Sequence, residues 1–478
     1  MSNSSNQLKN QHLLWRAAFG PMAKNAGELK DVSHRDLYHL LEKTSAKKPE
    51  DFVIAGNPLD GLMKGAQDIG MIQKLNQDQK KMLRRQSVED LKNLNLTWLD
   101  QMINSESQLR EKMGLFWHGH FACRIINIFF QQQLINTIRS NALENFGDML
   151  KEVSKSPAML SFLNNQQNRK QHPNENFARE VMELFTMGRG NYTEEDVKEG
   201  ARAFTGWGFN LQGEFVNRPF LHDNGIKTFL GKTGNFDGDD ILDIILEQKQ
   251  TAKFITQKIY RYFVNDIPDA DEVEKLGGRF YESGYDIRKI LGDIYTSDWF
   301  YNAKNIGTHI KSPVELIVGI RRMIPLELDK PQAQLLFERV LSQVLFYPPN
   351  VAGWPGGKNW IDSSSLMFRM KFPQIITGAD DFMVKPKDDD DTMMGMEGAD
   401  GEIKSRQFNA TVDWDSVIKA FNPIAGNDLL EEISNIILQT KRKINPEIIN
   451  RYVDKDSRDG FIKTTIIELM STPEYQLC

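Results

Sequence analysis

The sequence predicts a mainly α protein, one large multi-helical domain carrying a small β-hairpin near residues 209–217. Three observations lead there. Apolar residues recur three and four apart, as in Phe254, Ile255, Ile259, Tyr262 and Phe263, which is the period of one helix face. Helix-start signals repeat: Ser156-Pro157, Thr193 with Asp196, and Ser312-Pro313-Val314-Glu315 place a side-chain oxygen where it can accept from the first free backbone N–H groups. A period of two enters only after Gly206, at Phe209-Asn210-Leu211 and Phe215-Val216-Asn217 around Gly213.

In chain order, Leu13 to Phe19 reads as a helix ended by Gly20, and Asp36 to Glu42 as a second short one. Pro49, Gly56, Pro58, Gly61 and Gly65 make residues 49–66 a loop. A charged helical region follows from Met71 to Met102, with a break expected near Ser87. The next helix begins near Glu106 and contains Phe116-Trp117-His118-Gly119-His120-Phe121. Residues two apart on a helix diverge by about 200°, so His118 and His120 cannot readily share a metal ion there, although on a strand they would share a face. His120 follows the spacing of Leu109, Met113 and Phe116, which makes it a core histidine or one turned towards a buried carboxylate.

Phe129 to Val153 reads as one helical run, Ser156 as the cap of the next helix, and Asn164 to Gln171 as a polar loop. Asn235 to Asp240 resembles a calcium loop, but Leu246 stands where such a loop needs its glutamate, so Asp237 is read as a helix N-cap. Helices fill Ile241 to Ile324 and Gln332 to Val344. Tyr347 to Trp360, with prolines, glycines and two tryptophans, is a rigid non-helical loop that lines a pocket or seals a core, with Trp354 at its centre. Helices resume from Trp414 to the end. The domain plan is therefore a main helical domain over 1–384, a flexible acidic insert over 385–404 with four aspartates in a row, and a C-terminal helical portion over 405–478 packing on the main domain.

The charge balance excludes one class of function. With 59 basic and 65 acidic residues the formal charge is −6, so no basic excess exists to neutralise nucleic-acid phosphates. Two cysteines, Cys123 and Cys478, provide neither a disulfide framework nor a thiolate zinc site. No basic leader with an apolar core and no membrane-length apolar stretch is visible, so the chain as written reads as cytoplasmic, with an exported form as the alternative.

The candidate site lies between His172 and Trp207. After Pro173 no helix breaker occurs until Gly188. Phe177, Val181, Leu184 and Phe185 fall on one arc of this helix, and Asn176, Arg179, Glu180 and Glu183 on the other. A second helix capped by Thr193 carries Arg202 and is expected to fold back on the first, so that Arg179 or Arg202 pairs with one of Glu180 and Glu183 and leaves the other free. Two carboxylates close together raise the pKa of one of them, which supplies an acid and a base at neutral pH. With a histidine, the same carboxylates could instead hold a divalent metal and activate water. The loop beyond the hairpin adds His222, Asp223 and Lys227, an acid, a base and an anion contact beside Gly225. The plain alternative for all of these is two solvated helix faces.

At FWHGHFA, NENFAREVMELFTMGRGNYTEEDVKEGARAFTGW, HDNGIKTFLG, IKSPVEL and PPNVAGWPGGKNW, in that order, the chain resembles the bacterial family designated domain of unknown function 1800. The resemblance runs from WRAAFG at Trp15 to STPEYQL near the end, and the acidic insert has no place in the family pattern. It implies shared residues from Asn174 to Leu184, with Val181 where the family has leucine, together with Thr205, Gly206 and Trp207, and His222, Asp223 and Lys227. It implies no reaction. As partner it implies a phosphatase- or sulfatase-like protein encoded nearby.

The leading functional reading is a hydrolase-like enzyme, acid–base or metal-assisted, with Glu180, Glu183, His222 and Asp223 as catalytic groups and His120 as an alternative histidine. Asn176, Arg179, Arg202, Lys227, Trp207 and Trp354 are its candidate substrate contacts. Its rival, from another class, is a non-catalytic partner or assembly protein in which the polar cluster is a buried salt-bridge network. The insert provides the first test: deleting 385–404 is expected to leave the melting temperature nearly unchanged, and a large drop in a thermal melt would show that the segment is docked.

Overall fold

The computed structural model describes residues 2–56, 77–125, 127–210, 212–378, 409–440 and 442–478. The acidic insert, most of the loop expected at 49–66, the first turn of the helix expected from Met71, and Leu211 of the hairpin lie outside the described residues. Helix α1 spans Ser2–Ala17 and α2 His34–Thr44, the latter opened by Ser33, whose hydroxyl accepts from Asp36 N. Helix α3, Gln77–Asn104, continues through Ser87 without the expected break. Helix α4 is Gln108–His120. The single run expected from Phe129 to Val153 is two helices, α5 (Ile128–Asn141) and α6 (Phe146–Lys155). Asn145 starts the second by accepting from Gly147 N and Asp148 N, a local cap that competes with helix continuation.

Next come α7 (Pro157–Phe162), α8 (Asn176–Glu180) with a π-helical continuation over Val181–Thr186, and α9 (Glu194–Ala203). Helices α10 (Gly238–Leu246), α11 (Lys249–Phe263), α12 (Ala270–Glu282) and α13 (Ile287–Tyr295) follow. The last group is α14 (Pro313–Met323), α15 (Ala333–Leu341), α16 (Ser363–Ile376), α17 (Trp414–Phe421), α18 (Leu429–Ile437), α19 (Pro446–Tyr452) and α20 (Arg458–Met470).

The small hairpin is present: β1 (Trp207–Phe209) pairs antiparallel with β2 (Phe215–Asn217), Gly208 opposite Val216. Two further pairs were not read from the sequence. Strand β3 (Lys227–Phe229) turns into β4 (Lys232–Gly234) through Leu230 and Gly231, both at positive φ as a two-residue hairpin requires. Strand β5 (Leu326–Leu328) pairs with β6 (Ala410–Val412) from the far side of the insert. Strands of three residues are too short to show an alternation.

Every residue of α4 except Gly119 is buried, although the helix begins Gln-Leu-Arg-Glu-Lys. Arg110, Glu111 and Lys112 are at most 1% exposed. Successive side chains leave a helix about 100° apart, so the three charges point at three different neighbours. Arg110 donates to Glu144 at 2.9 Å and to the carbonyls of Ser45 and Ser140. Glu111 accepts from Arg139 Nη2 at 2.7 Å, from its Nε at 3.1 Å and from Trp98 Nε1 at 2.9 Å. Lys112 reaches Glu315 at the start of α14 and donates to Trp15 O at 3.0 Å. Charges taken out of water stay in a core only when paired in this manner.

Apolar side chains form two cores. The larger gathers α3 to α13, with Leu13 and Ala17 of α1. The smaller gathers α14 to α20, and Trp15 of the same α1 belongs to it. Helix α1 thus stands between them. Gln11 bonds the carbonyls of Asn435 and Ile436, and the edge of Trp15 meets Tyr475 at 6.1 Å. At the other end of the large core Gly353 comes so close to Gly119 that a Cβ would lie 2.4 Å from its carbonyl oxygen, which lays the proline–tryptophan loop on the end of α4.

Removing one member of a buried pair leaves the other uncompensated, at a cost of about 3–5 kcal/mol. Glu111→Ala, which strands Arg139, is expected to lower the unfolding free energy by about that much in denaturant melts. A loss below about 1 kcal/mol would place the pair in the class of solvated surface bridges.

Candidate functional site

The central segment opens with turns of its own making: Asn174 N donates to the Asn168 side chain, and Asn176 N to that of Asn174. Helix α8 then widens. Met187 N reaches Met182 O at 2.9 Å across five residues, and the Thr186 hydroxyl donates to Val181 O. Phe177, Val181 and Phe185, and likewise Ala178, Met182 and Thr186, are all buried. Side chains four apart drift by about 40° per step on an α-helix, and the wider turn removes that drift and keeps both rows inward. Helix α9 packs close by: Gly200 lies where a Cβ would touch Ala178 Cβ at 3.5 Å.

The polar face divides its carboxylates unequally. Arg179 holds Glu194 with two bonds of 2.9 and 2.7 Å and Glu175 with one of 3.1 Å. Glu183 accepts from the Tyr192 hydroxyl at 2.7 Å and pairs with Arg189 at 3.2 Å. Burial and the bond to Glu183 push the Tyr192 hydroxyl up to about 12, so it stays a donor. Glu180, half-buried between these groups, has neither a hydrogen bond nor an ion pair among the described residues. Burial first, then the nearby Glu183, raises its carboxyl above the usual glutamate range, against the pull of Arg179. An open cleft of about 650 Å³, lined by Gln167, His172, Asn174, Glu175, Asn176 and Arg179 among others, begins one turn before Glu180.

The second group of predicted residues forms its own cluster at the far end of α9. Arg202 takes both oxygens of Glu199, at 2.7 and 2.9 Å, and both of Asp223, at 2.8 and 3.3 Å. The guanidinium holds the Asp223 carboxyl below the usual aspartate range. His222 Nδ1 lies 2.9 Å from Thr205 O, a group that can only accept, so Nδ1 carries a proton. Lys227 does not face outward as an anion contact: it is buried and donates to the carbonyls of Asp223 and Gly225. Trp207 is a core residue against Phe204 and Phe215 instead of a cleft residue, and Gly238 allows its ring that close. Gly206, at φ +83, is where a Cβ would meet Arg218 O at 2.7 Å.

The expected pairing of Arg179 or Arg202 with Glu180 or Glu183 is therefore corrected, since each arginine is saturated by other acids. Among the described residues no hydrogen bond or ion pair joins Glu180 or Glu183 to His222 or Asp223. His118 and His120 diverge. His118 accepts from Phe346 N at 3.1 Å and lies 5.6 Å from Trp354, and burial pushes it down to about 3. Among the described residues His120 meets no carboxylate; its Nε2 donates to Phe185 O at 3.1 Å. Its Nδ1 accepts from Lys258, which also donates to Leu184 O at 2.9 Å and which burial pushes down to about 8.

Sequence reasoning missed Lys258. Its place four residues from Phe254 and from Tyr262, on the apolar face of α11, was the available signal. It also missed Tyr192 and gave Glu175 no role of its own. No group of three or more His, Cys, Asp or Glu residues suited to a metal ion occurs among the described residues.

Asp223 ties this cluster to pH. Its folded pKa is depressed, so the stability it contributes is present above the ordinary aspartate pKa of about 4 and is lost as pH falls through the lower, folded value. Arg202→Ala is expected to lower the urea midpoint at neutral pH, with the gap to the parent closing below about pH 4. A gap independent of pH would show that Arg202 acts through packing alone.

The model of one family, described as "Protein of unknown function (DUF1800)", matches residues 12–477. No curated protein matches the chain, and no solved structure does. Among the described residues no helix is long and apolar enough to cross a membrane.

Proposed function

Because the chain belongs to the DUF1800 family, whose description names no reaction, we propose its function from the site itself: a hydrolase-like enzyme working by acid–base catalysis at Glu180. The observation that carries this reading is the contrast between two neighbouring glutamates. Glu183 is held and oriented by Tyr192 and Arg189. Glu180 is unpaired among the described residues, half-buried and raised in pKa, one helical turn along from Asn176 at the edge of the cleft. Environments that push two carboxylates apart separate an acid from a base. Glu180 takes and returns the proton, Glu183 stands beside it, and Asn176 contacts substrate.

A second reading has its own observation. Arg179 with Glu175 and Glu194, and Arg202 with Glu199 and Asp223, are closed networks that clamp α8, α9 and the hairpin loop together. Such networks suit an assembly protein, for which a phosphatase- or sulfatase-like protein encoded nearby is the partner to test.

Turnover of a panel of chromogenic esters, phosphates and glycosides separates the two. The wild type is expected to hydrolyse one class, with an acid limb set above the ordinary glutamate range. Glu180→Gln is expected to lower the rate by about 10²–10⁴-fold without changing the melting temperature. An active wild type matched by an equally active Glu180→Gln variant would remove Glu180 from the chemistry, and a wild type inert on every class would favour assembly.

A further inference from the structure

One seam between the two cores runs where α15 lies against α3. Leu336, Phe337 and Val340 of α15 belong to the smaller core, and Leu91, Leu94 and Trp98 of α3 to the larger. Glu338 bridges them. It is 0% exposed, and its Oε2 accepts from Asn95 Nδ2 of α3 at 2.7 Å and from Leu345 N at 3.0 Å. Its Oε1 and the Asn95 Oδ1 meet no donor. Leu345 and Phe346, which follow α15, are buried in the larger core, so the chain itself crosses the seam here. Phe346 N donates to His118 Nε2, and two successive backbone N–H groups thus end on titratable side chains, a carboxyl and an imidazole.

Among the described residues no cation answers this carboxyl. On α14, Arg321 bonds Gln334 and Leu326 O, Arg322 bonds Gly20 O and Ile103 O, and Glu315 is held by Lys112. Arg369 of α16 donates to Lys311 O. On α3, Lys92 pairs with Glu89 at 3.4 Å, and Asp100 faces Arg321. His118 of α4 accepts from Phe346 N and is therefore neutral. Arg339, the next residue of α15, leaves the helix about 100° away from Glu338. Burial pushes the Glu338 carboxyl up to about 8, against the pull of the Asn95 and Leu345 donors.

A carboxylate held out of water without a countercharge is strongly unfavourable, so Glu338 keeps its proton. A proton on Oε1 leaves Oε2 as the acceptor of both bonds. We propose that Glu338 is a proton-operated latch between the two cores, closed while its carboxyl is neutral and released when it ionises, so that α15 and the 342–346 loop part from α3 and water reaches the charge. The opened form holds its proton no more tightly than an ordinary glutamate, with a pKa of about 4. The closed form keeps it to higher pH. The latch is thus at full strength below the ordinary glutamate pKa, weakens as pH rises through the neutral range, and levels off above the closed-form value.

The test is amide hydrogen exchange on the full chain, each rate divided by that of an unfolded peptide at the same pH so that only protection remains. One proton released on opening makes opening about tenfold easier per pH unit. In the wild type, Leu345 and Phe346 are expected to lose protection by about that factor per unit from about pH 6 to about pH 8, and to level off above. The Ile259 amide of α11, 0% exposed and far from the latch in sequence, is expected to hold its protection throughout. Glu338→Gln, neutral and of the same shape, keeps an acceptor for Asn95 and Leu345 and is expected to make the protection of both loop amides independent of pH.

Constant protection of Leu345 in the wild type across this range would overturn the proposal. So would an equal loss in Glu338→Gln, which would mean that another group titrates. Should Glu338→Gln fail to fold, the wild type decides alone: a loss confined to Leu345 and Phe346 supports the latch, and a loss shared by Ile259 refutes it as loosening of the whole fold.

Discussion

Three charged residues in succession, Arg110, Glu111 and Lys112, occupy the centre of this protein, and most of the large-scale arrangement answers to them. Each leaves α4 in its own direction and cannot be left unpaired. Arg139 of α5 is bound to Glu111, Glu144 in the turn after α5 to Arg110, and Glu315 of α14 to Lys112. Trp98 of α3 and the carbonyl of Trp15 on α1 complete the set. A hydrophobic helix of the same length would be held by shape and area, which tolerate small rotations. Ion pairs and hydrogen bonds of fixed length tolerate much less, so α4 sets the azimuth of its neighbours as well as their distance.

The candidate site inherits that rigidity. His120, at the last turn of α4, bonds the carbonyl of Phe185, and Lys258 of α11 bonds that of Leu184. These are orphan acceptors at the end of the π-helical turn, which has no residues left to satisfy them. The inner side of the central helix is thus anchored on α4 and α11 through its backbone. Its outer side, with Glu180 and Glu183, is then free to be arranged for chemistry, and the strain of a widened turn is spread over a fixed frame.

What could be read from the sequence follows the range of the interactions involved. Caps were legible because their chemistry closes within three residues: Thr193 with Asp196 and Ser312 with Glu315 form as read, and Asp237 caps its helix as read. The β1–β2 hairpin was legible because its pairing closes within ten residues, Trp207 facing Asn217. The partners of α4 were not, since Glu111 meets Arg139 over 28 residues and Lys112 meets Glu315 over 203. Periodicity cannot tell a polar residue that faces water from one that faces a distant countercharge. The site shows the same limit. The stripe of Asn176, Arg179, Glu180 and Glu183 was visible as a face, but Glu175 and Glu194 took up Arg179, and no pattern in the chain marks that choice. The π-helical turn was hidden as well, because apolar residues four apart fit an ordinary helix nearly as well.

Helix α1 has a consequence for how the protein comes to be made. Trp15 lies in the smaller core with α14 to α20, while Leu13 and Ala17, on the same helix, lie in the larger one. Gln11 waits for carbonyls 424 and 425 residues further on. During synthesis the large core can begin to form around α4, but one side of α1 stays uncovered until the last helices have left the ribosome. Until those later helices are made, the nascent chain presents that side of α1 uncovered.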